Sequence, residues 1–230
     1  MRRVVVFAMA LGLLLSTVAA PAAADHRTVL EGPNPAIWLS DPEGDVGPVP
    51  DFGIEQGDPV AGSSGRAEVY RDRATIKVRA KGLVPGHTYT MWVVYFSDST
   101  LCTDLGSGNV GCNGEDLTAA GGGVIWGDGD TAGRSGKVTF NALLNTGDSA
   151  DNVGPPPPFA KAPYEAGPNN EFHVVIRSHG PQIPGLVDEQ VTTFLGGCFF
   201  NVGPLPEEKG DFRVPLAPGE CGDVQLYVFK

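Results

Sequence analysis

The chain has 230 residues, and its 27 acidic residues outnumber its 16 Lys and Arg residues, giving a formal net charge of −11. The sequence shows no cluster of Lys or Arg that would reverse this charge locally, so nucleic acid and anionic membranes are excluded as expected partners. Glycine (32 residues) and proline (20 residues) are abundant, yet 41% of the residues are hydrophobic. This composition predicts short strands and long Gly/Pro-rich loops around a hydrophobic core.

Residues 1–24 predict an export signal. Arg2 and Arg3 precede the apolar run VVVFAMALGLLLSTVAA, and the small residues of AAPAAAD follow it where a signal peptidase would cut. The apolar run is shorter than the ~18–20 residues that span a bilayer. We therefore expect a secreted, extracellular protein that does not insert into a membrane.

The rest of the chain predicts one domain behind an irregular segment. Residues 25–65 are rich in Pro, Gly and Asp, and they allow at most one short strand, near 36–39. From residue 66 to residue 230 the pattern is that of a single β domain. The two hairpins and three further strands described next all fall in this part.

RAEVYRDRATIKVRAKGL predicts a hairpin with arms at 67–70 and 74–80, in which Thr75, Lys77 and Arg79 face water. TYTMWVVYF (88–96) is apolar on both faces, which predicts a central strand covered on both sides. GGVIWGDGDTAGRSGKVTFNALL predicts a second hairpin, with arms at 124–126 and 137–143. EFHVVIRS and DVQLYVFK predict two further strands, and between them GLVDEQVTTF allows either one helical turn or a short strand.

The stretch GLVPGHTYTMWV resembles the tyrosine corner of immunoglobulin-like and fibronectin-type sandwiches. In that motif a tyrosine hydroxyl bonds to backbone a few residues upstream and holds a turn between two sheets. Leu83 would be the buried partner, Pro85 and Gly86 the turn, and Tyr89 the anchor. Together with the strand pattern, this resemblance implies an all-β, antiparallel β-sandwich of the immunoglobulin/fibronectin type.

The four cysteines predict two disulfides in an exported chain. Three pairings are possible. We favour Cys102–Cys112 and Cys198–Cys221, because the members of each pair are near in sequence and flank predicted strand ends. The spacing does not favour a zinc site, since no C-x-x-C occurs.

The stretch EFHVVIRSHGPQIPGLVDEQ is the part of the chain richest in chemically active side chains. Strand alternation places His173 and Arg177 on one face, with His179 next in line at the end of the strand. His87 precedes a central strand and could come near. With Glu189 or Asp188, these histidines would form a Zn²⁺ or Cu²⁺ site.

The same alternation argues against a shared metal. His173 and His179 are about 20 Å apart on an extended strand at ~3.3 Å per residue. They could bind one ion only if SHGPQIPG folds back. In the structural alternative, His173 pairs across the sheet and His179 caps a turn before Pro181.

Two acidic stretches could bind Ca²⁺. SDPEGDVG offers Asp41, Glu43 and Asp45, and WGDGDTAG offers Asp128 and Asp130 on a glycine-containing loop. Turn formation explains both equally well, because turns select Asp and Gly. We therefore expect no cofactor, with Zn, Cu and Ca as the alternatives.

The blocks GLVPGHTYTMWVVYF and FHVVIRSHGPQIPGLVDEQVTTFLGGC resemble those of a group of exported bacterial proteins of unassigned function. The resemblance covers about residues 67–198 and the final strand, and it implies no activity or ligand. Two hypotheses follow. The first is a non-enzymatic extracellular module that binds a surface partner, a sugar or an ion. The second is a metal-binding protein or metal-dependent enzyme that uses His87, His173 and His179.

Overall fold

A computed structural model of the chain describes residues 27–30, 37–38, 59–103, 111–149, 162–192 and 221–230. The predicted export signal, residues 1–24, lies outside the described residues. Within them, no helix is long and apolar enough to cross a membrane. The strands form two antiparallel sheets around a shared core, so the predicted all-β antiparallel sandwich is confirmed.

Sheet A has four strands in the order β1-β3-β4-β7: Thr28–Leu30, Ser64–Val69, Arg73–Ala80 and Val138–Asn145. Sheet B has five strands in the order β2-β9-β8-β5-β6: Ile37–Trp38, Cys221–Phe229, Glu171–Pro181, His87–Phe96 and Gly123–Thr131. Three short helical segments complete the described elements: 3₁₀ turns at Ser99–Leu101 and Gly114–Leu117, and the α-helix α1 at Val187–Val191. The ambiguous stretch GLVDEQVTTF thus contributes a helical turn.

The first predicted hairpin is confirmed, because β3 and β4 pair along their length. The inward residues of β4 are all buried, while Lys77 and Arg79 on its other face are exposed. Alternation of this kind is what one buried face and one solvated face require.

The second predicted hairpin is wrong. Both strands exist, but β6 pairs with β5 in sheet B, and β7 pairs with β4 in sheet A. The chain crosses between the sheets at residues 132–137, where Gly136 has φ +62° and its carbonyl accepts a 3.1 Å hydrogen bond from the Leu83 N–H. A Cβ at Gly136 would lie 2.4 Å from the Leu83 carbonyl oxygen, so only glycine fits this crossing.

The crossing from β4 to β5 has the turn and the tyrosine hydrogen bond expected from the tyrosine-corner resemblance, but immunoglobulin-type domains carry that motif at the start of the strand equivalent to β8. Tyr89 is fully buried, and its hydroxyl accepts a 2.9 Å hydrogen bond from the Val84 N–H. Gly86 supplies the turn with φ +80°, and Leu83 is buried in the core. Burial raises the pKa of Tyr89 to about 12, so the phenol stays protonated at neutral pH.

The strand connectivity is that of immunoglobulin-type sandwiches. If β3 to β9 are lettered A, B, C, C′, E, F and G, one sheet has the order A-B-E and the other C′-C-F-G. Two short strands from the segment predicted to be irregular extend the sheets, as β1 pairs with β3 and β2 pairs with β9. β2 lies where the sequence allowed one short strand, near 36–39. β1 was not predicted, because a strand of three residues is too short to show an alternating pattern.

The central strand β5 is covered on both faces, as predicted. Met91 and Val93 belong to the main core between the sheets. Trp92, Val94 and Phe96 belong to a second apolar cluster, which includes Cys112 and Leu117 of the segment after β5. This segment therefore covers the outer face of sheet B.

Candidate functional site

The structure places the residues of the predicted metal site in different surroundings. His173 and His179 are buried, whereas Glu189 is exposed on α1 and His87 is partly exposed at the start of β5. Strand β8 continues through His179 to Pro181, so the stretch does not fold back as a shared metal requires. Among the described residues, no three His, Cys, Asp or Glu side chains gather as ligands for a metal ion. Metal binding stays a prediction.

Glu171 and His173 form a buried pair at the start of β8. Glu171 Oε1 lies 2.7 Å from His173 Nε2, and the two side chains are 2% and 1% exposed. The same oxygen accepts a 2.9 Å hydrogen bond from the Cys112 N–H. A Cβ at Gly111 would lie 2.2 Å from Glu171 Oε2, so the backbone approaches this carboxylate closely. The pair therefore attaches the segment covering sheet B to β8.

A disulfide holds the same segment together. The predicted Cys102–Cys112 bridge is confirmed, with a Cα–Cα distance of 5.1 Å. Cys198 lies outside the described residues, so its pairing with Cys221 stays a prediction. The ring nitrogen Nδ1 of His173 has no hydrogen-bond partner within the described part of the chain. One ring nitrogen is not a ligand set for a metal.

His179 belongs to a second buried group, which it shares with β5. Its Nε2 lies 2.7 Å from Thr90 Oγ1, and that hydroxyl accepts a 2.9 Å hydrogen bond from Trp92 Nε1. The buried Arg177 donates to Asp223 of β9 at 2.9 Å. These contacts join β8 to both of its neighbours, which is a structural role.

Gln190 organises the loop after β8, and sequence reasoning misses it. Its Oε1 accepts a 2.7 Å hydrogen bond from the Ile183 N–H, and its Nε2 donates to the carbonyls of Pro181 and His179 at 3.1 and 3.4 Å. The side chain is 1% exposed. Gln190 thus closes the loop from β8 to α1. A lone glutamine among acids and histidines gives no sequence signal for such a role.

The second candidate calcium stretch is a strand rather than a loop, which corrects the sequence expectation. Asp128 and Asp130 lie on β6, and their carboxylates accept hydrogen bonds from backbone N–H groups. Asp128 Oδ2 also accepts from the Asn141 N–H of the edge strand β7 at 2.9 Å. The hydrogen bond to Asp128 occupies an N–H group that the edge strand β7 would otherwise offer to another chain. The first candidate, Asp41, Glu43 and Asp45, lies outside the described residues.

Positive charge is concentrated on sheet A, against the sequence expectation that no local cluster exists. Between residues 66 and 81 the chain carries only two acids, Glu68 and Asp72, and a larger number of cations: Arg66, Arg71, Arg73, Lys77, Arg79 and Lys81. In the sequence these cations are separated by other residues, and Arg66 and Lys77 meet on one face only when β3 and β4 pair.

A groove of about 470 Å³ lies on this outer face of sheet A. Two neighbouring cross-strand rows supply its polar and exposed side chains. One row is Arg66, Lys77 and Asn141, and the other is Glu68, Thr75 and Leu143. Ile76 and Ala142 complete the lining. Sequence alternation predicts the outward side of β4, but the wrong pairing of β7 hides the contribution of Asn141 and Leu143.

Glu68 fixes one side of the groove. Its carboxylate accepts a 2.6 Å hydrogen bond from the Tyr70 hydroxyl and pairs with Arg27 and Arg66. The hydrogen bond from Tyr70, helped by the two guanidinium groups, lowers the pKa of Glu68. Lys77 has no ion-pair partner among the described residues, so its charge is available to a ligand.

Fold and site together define an immunoglobulin-type β-sandwich with a cationic groove on one sheet. Comparisons of the chain with protein-family models, with curated proteins and with solved structures found no match.

Proposed function

We propose that this protein is a non-enzymatic binding module exported from the cell, and that the groove on sheet A is its ligand-binding surface. Export is supported by the signal-like residues 1–24 and by the Cys102–Cys112 disulfide, since such bridges persist in oxidising compartments. The resemblance of the two sequence blocks to exported bacterial proteins points the same way.

The distribution of buried and exposed groups supports binding over catalysis. On β8, Arg177 and His179 are buried and contact the neighbouring strands, and His173 is buried against Glu171 of the same strand. General acid–base chemistry needs a side chain within hydrogen-bond reach of a substrate, and these side chains face the protein instead. A groove that is open to solvent lies instead on sheet A.

The groove is the observation that carries the proposal. Its wall residues stand on β3, β4 and β7, whose opposite faces pack into the main core. The backbones of such strands are held in place before a ligand arrives, which reduces the entropy cost of binding. The groove also offers a cation at Lys77, an amide at Asn141 and an exposed apolar side chain at Leu143.

The test uses the mature protein and three soluble polysaccharides: acidic polygalacturonate, neutral dextran and cationic chitosan oligomers. Asn141→Trp fills the groove without changing charge, and Thr118→Trp makes a similar change at an exposed site on the segment covering sheet B. We expect titration calorimetry to show binding of at least one polymer. Asn141→Trp should weaken it by at least about tenfold, as expected for a central contact, while Thr118→Trp leaves it unchanged.

Two results would overturn the proposal. One is the absence of binding to all three polymers, or binding that Asn141→Trp does not alter. The other is shortening of a polymer during incubation with the purified protein, seen by size-exclusion chromatography, because a binding module leaves its ligand intact.

A further inference from the structure

We infer that the ligand of the groove is an acidic polysaccharide, a sugar polymer that carries carboxylate groups. This inference rests on the proposed binding function of sheet A and specifies the class of its ligand.

Charge is the first argument. Lys77 and Arg79 are exposed on β4, and Arg66 lies directly opposite Lys77 on β3. Residues two apart on a strand are about 6.6 Å apart. Arg66 is paired with Glu68, and the charges of Lys77 and Arg79 leave this area net positive. The chain as a whole carries a formal net charge of −11, so an anionic ligand is attracted to this face while the acidic total disfavours it elsewhere.

The neutral and acidic side chains of the groove suit an anionic polysaccharide better than an anionic polymer without hydroxyl groups. Asn141 has both amide donors and an amide acceptor, Thr75 has a hydroxyl, and Glu68 offers only acceptor oxygens. Sugar hydroxyls can donate to such acceptors as well as accept from donors. A polyphosphate chain has acceptors alone, so Glu68 would face it with like charge.

The groove does not suit single-stranded nucleic acid. Proteins that bind single strands stack bases on aromatic side chains. No aromatic residue of the described part of the chain lines the groove, and the neighbouring Tyr70 ring is covered by the Arg73 guanidinium at 4.6 Å from the ring centroid. Leu143, 56% exposed, instead offers an aliphatic surface to the C–H groups of a sugar ring.

An anionic membrane is a less suitable partner than a single polymer. A membrane presents negative charge over a wide plane, so acidic groups around the groove are repelled within a Debye length of about 8–10 Å. A single polymer chain can contact the cations of sheet A while the acidic groups elsewhere on the protein stay in solvent. The observations therefore favour a linear acidic polysaccharide.

The experiment measures binding of polygalacturonate and dextran by calorimetry at two salt concentrations. Lys77→Glu reverses a groove charge, Lys77→Gln only removes it, and Arg134→Glu makes the same change in net charge in the exposed turn between β6 and β7. We expect Lys77→Glu to weaken polygalacturonate binding by at least about tenfold and Arg134→Glu by less than about twofold. Lys77→Gln should fall between them, and added salt should weaken binding of the unaltered protein.

The outcomes separate this inference from the proposed function. If the protein binds dextran but not polygalacturonate, and Asn141→Trp abolishes the dextran binding, the inference of an acidic ligand is overturned. The proposed binding function of the groove then still holds. Equal loss in Lys77→Glu and Arg134→Glu shows a response to overall charge and overturns the inference. Tighter binding to polyphosphate, to single-stranded DNA or to anionic vesicles than to polygalacturonate also overturns it. If no polymer binds at all, both proposals fall.

Discussion

At the scale of single residues, Tyr89 joins two parts of the fold that are distant in the sandwich. Its ring lies in the core between the sheets, and its hydroxyl holds the turn by which the chain passes from sheet A to sheet B. Because the phenol is buried and Val84 is partly buried, water has only restricted access to the two groups. This hydrogen bond therefore stabilises the fold mainly because its loss would leave the Val84 N–H without an acceptor.

Tyr89→Phe should lower the free energy of unfolding by about 1–2 kcal/mol, since it leaves a partly buried N–H without its acceptor. Urea denaturation of the mature protein measures this. Tyr70→Phe is the matched control, because the Tyr70 hydroxyl meets Glu68 near the surface, and we expect a change within about 0.5 kcal/mol. Equal effects of the two substitutions would contradict the assigned role of Tyr89.

The buried tyrosines also predict how stability depends on pH. Burial raises the pKa of Tyr89 and of Tyr95 to about 12 from the usual 10.0, and it raises the pKa values of Tyr164 and Tyr227 as well. A raised pKa in the folded state means that the unfolded chain releases its phenol protons first. The contribution of the protonated, buried phenols to the free energy of unfolding is complete below pH 10, and it should be lost as the pH rises towards 12.

Urea midpoints measured across this alkaline interval test the prediction, with phenolate absorbance recorded alongside. The phenolate signal of the buried tyrosines should appear together with unfolding, and Tyr89→Phe should lose stability less steeply than the unaltered protein. Phenolate absorbance that develops fully near pH 10 while the protein is folded would show that these rings are open to solvent.

At the scale of elements, the stretch EFHVVIRSHGPQIPGLVDEQ shows which features local sequence can predict. The strand and the shared face of His173 and Arg177 follow from alternation, and β8 has that pattern. The hydrogen bonds from Gln190 could not be predicted, because they depend on where the loop places three backbone groups. The histidine and arginine side chains of this stretch, His179 and Arg177, connect β8 to its neighbouring strands.

Gln190→Ala should destabilise the protein by about 1–3 kcal/mol, because it leaves a partly buried N–H and two carbonyls with fewer partners. Glu189→Ala, one residue earlier on the exposed side of α1, should change stability by less than about 0.5 kcal/mol. Hydrogen exchange at the Ile183 amide supplies a local measurement, which should speed up only in the Gln190 variant. Unchanged exchange there would mean that Gln190 does not close the loop.

Removing the Cys102–Cys112 bridge should lower the free energy of unfolding by about 2–3 kcal/mol, as expected when a short loop is released in the unfolded chain. Thermal or urea unfolding of a Cys102→Ala/Cys112→Ala variant measures the effect. The bridged segment covers sheet B, so polymer binding on sheet A should be unchanged in the same variant. Loss of binding there would place the ligand outside the groove.

At the scale of the whole molecule, the sandwich class, the central strand and the hydrogen bond of Tyr89 could all be predicted from sequence. Each depends on residues close together in the chain, such as Val84 and Tyr89. Strand partners could not be predicted, because β6 and β7 are adjacent in sequence and yet belong to opposite sheets. The cationic groove was hidden for the same reason, since Lys77 meets Arg66 and Asn141 only through sheet pairing.

The net charge of −11 disfavours anionic surfaces in general. Under our proposal the outer face of sheet A is the part of the described structure that would attract an anionic ligand.

The most direct test of this account is an amide chemical-shift map of the isotope-labelled mature protein during titration with oligogalacturonate. We predict that the shifts concentrate on β3, β4 and β7 around Arg66, Lys77 and Asn141. Shifts centred on β8 and α1, around His173, His179 and Glu189, would contradict the groove as the binding surface and return attention to the histidine-rich strand.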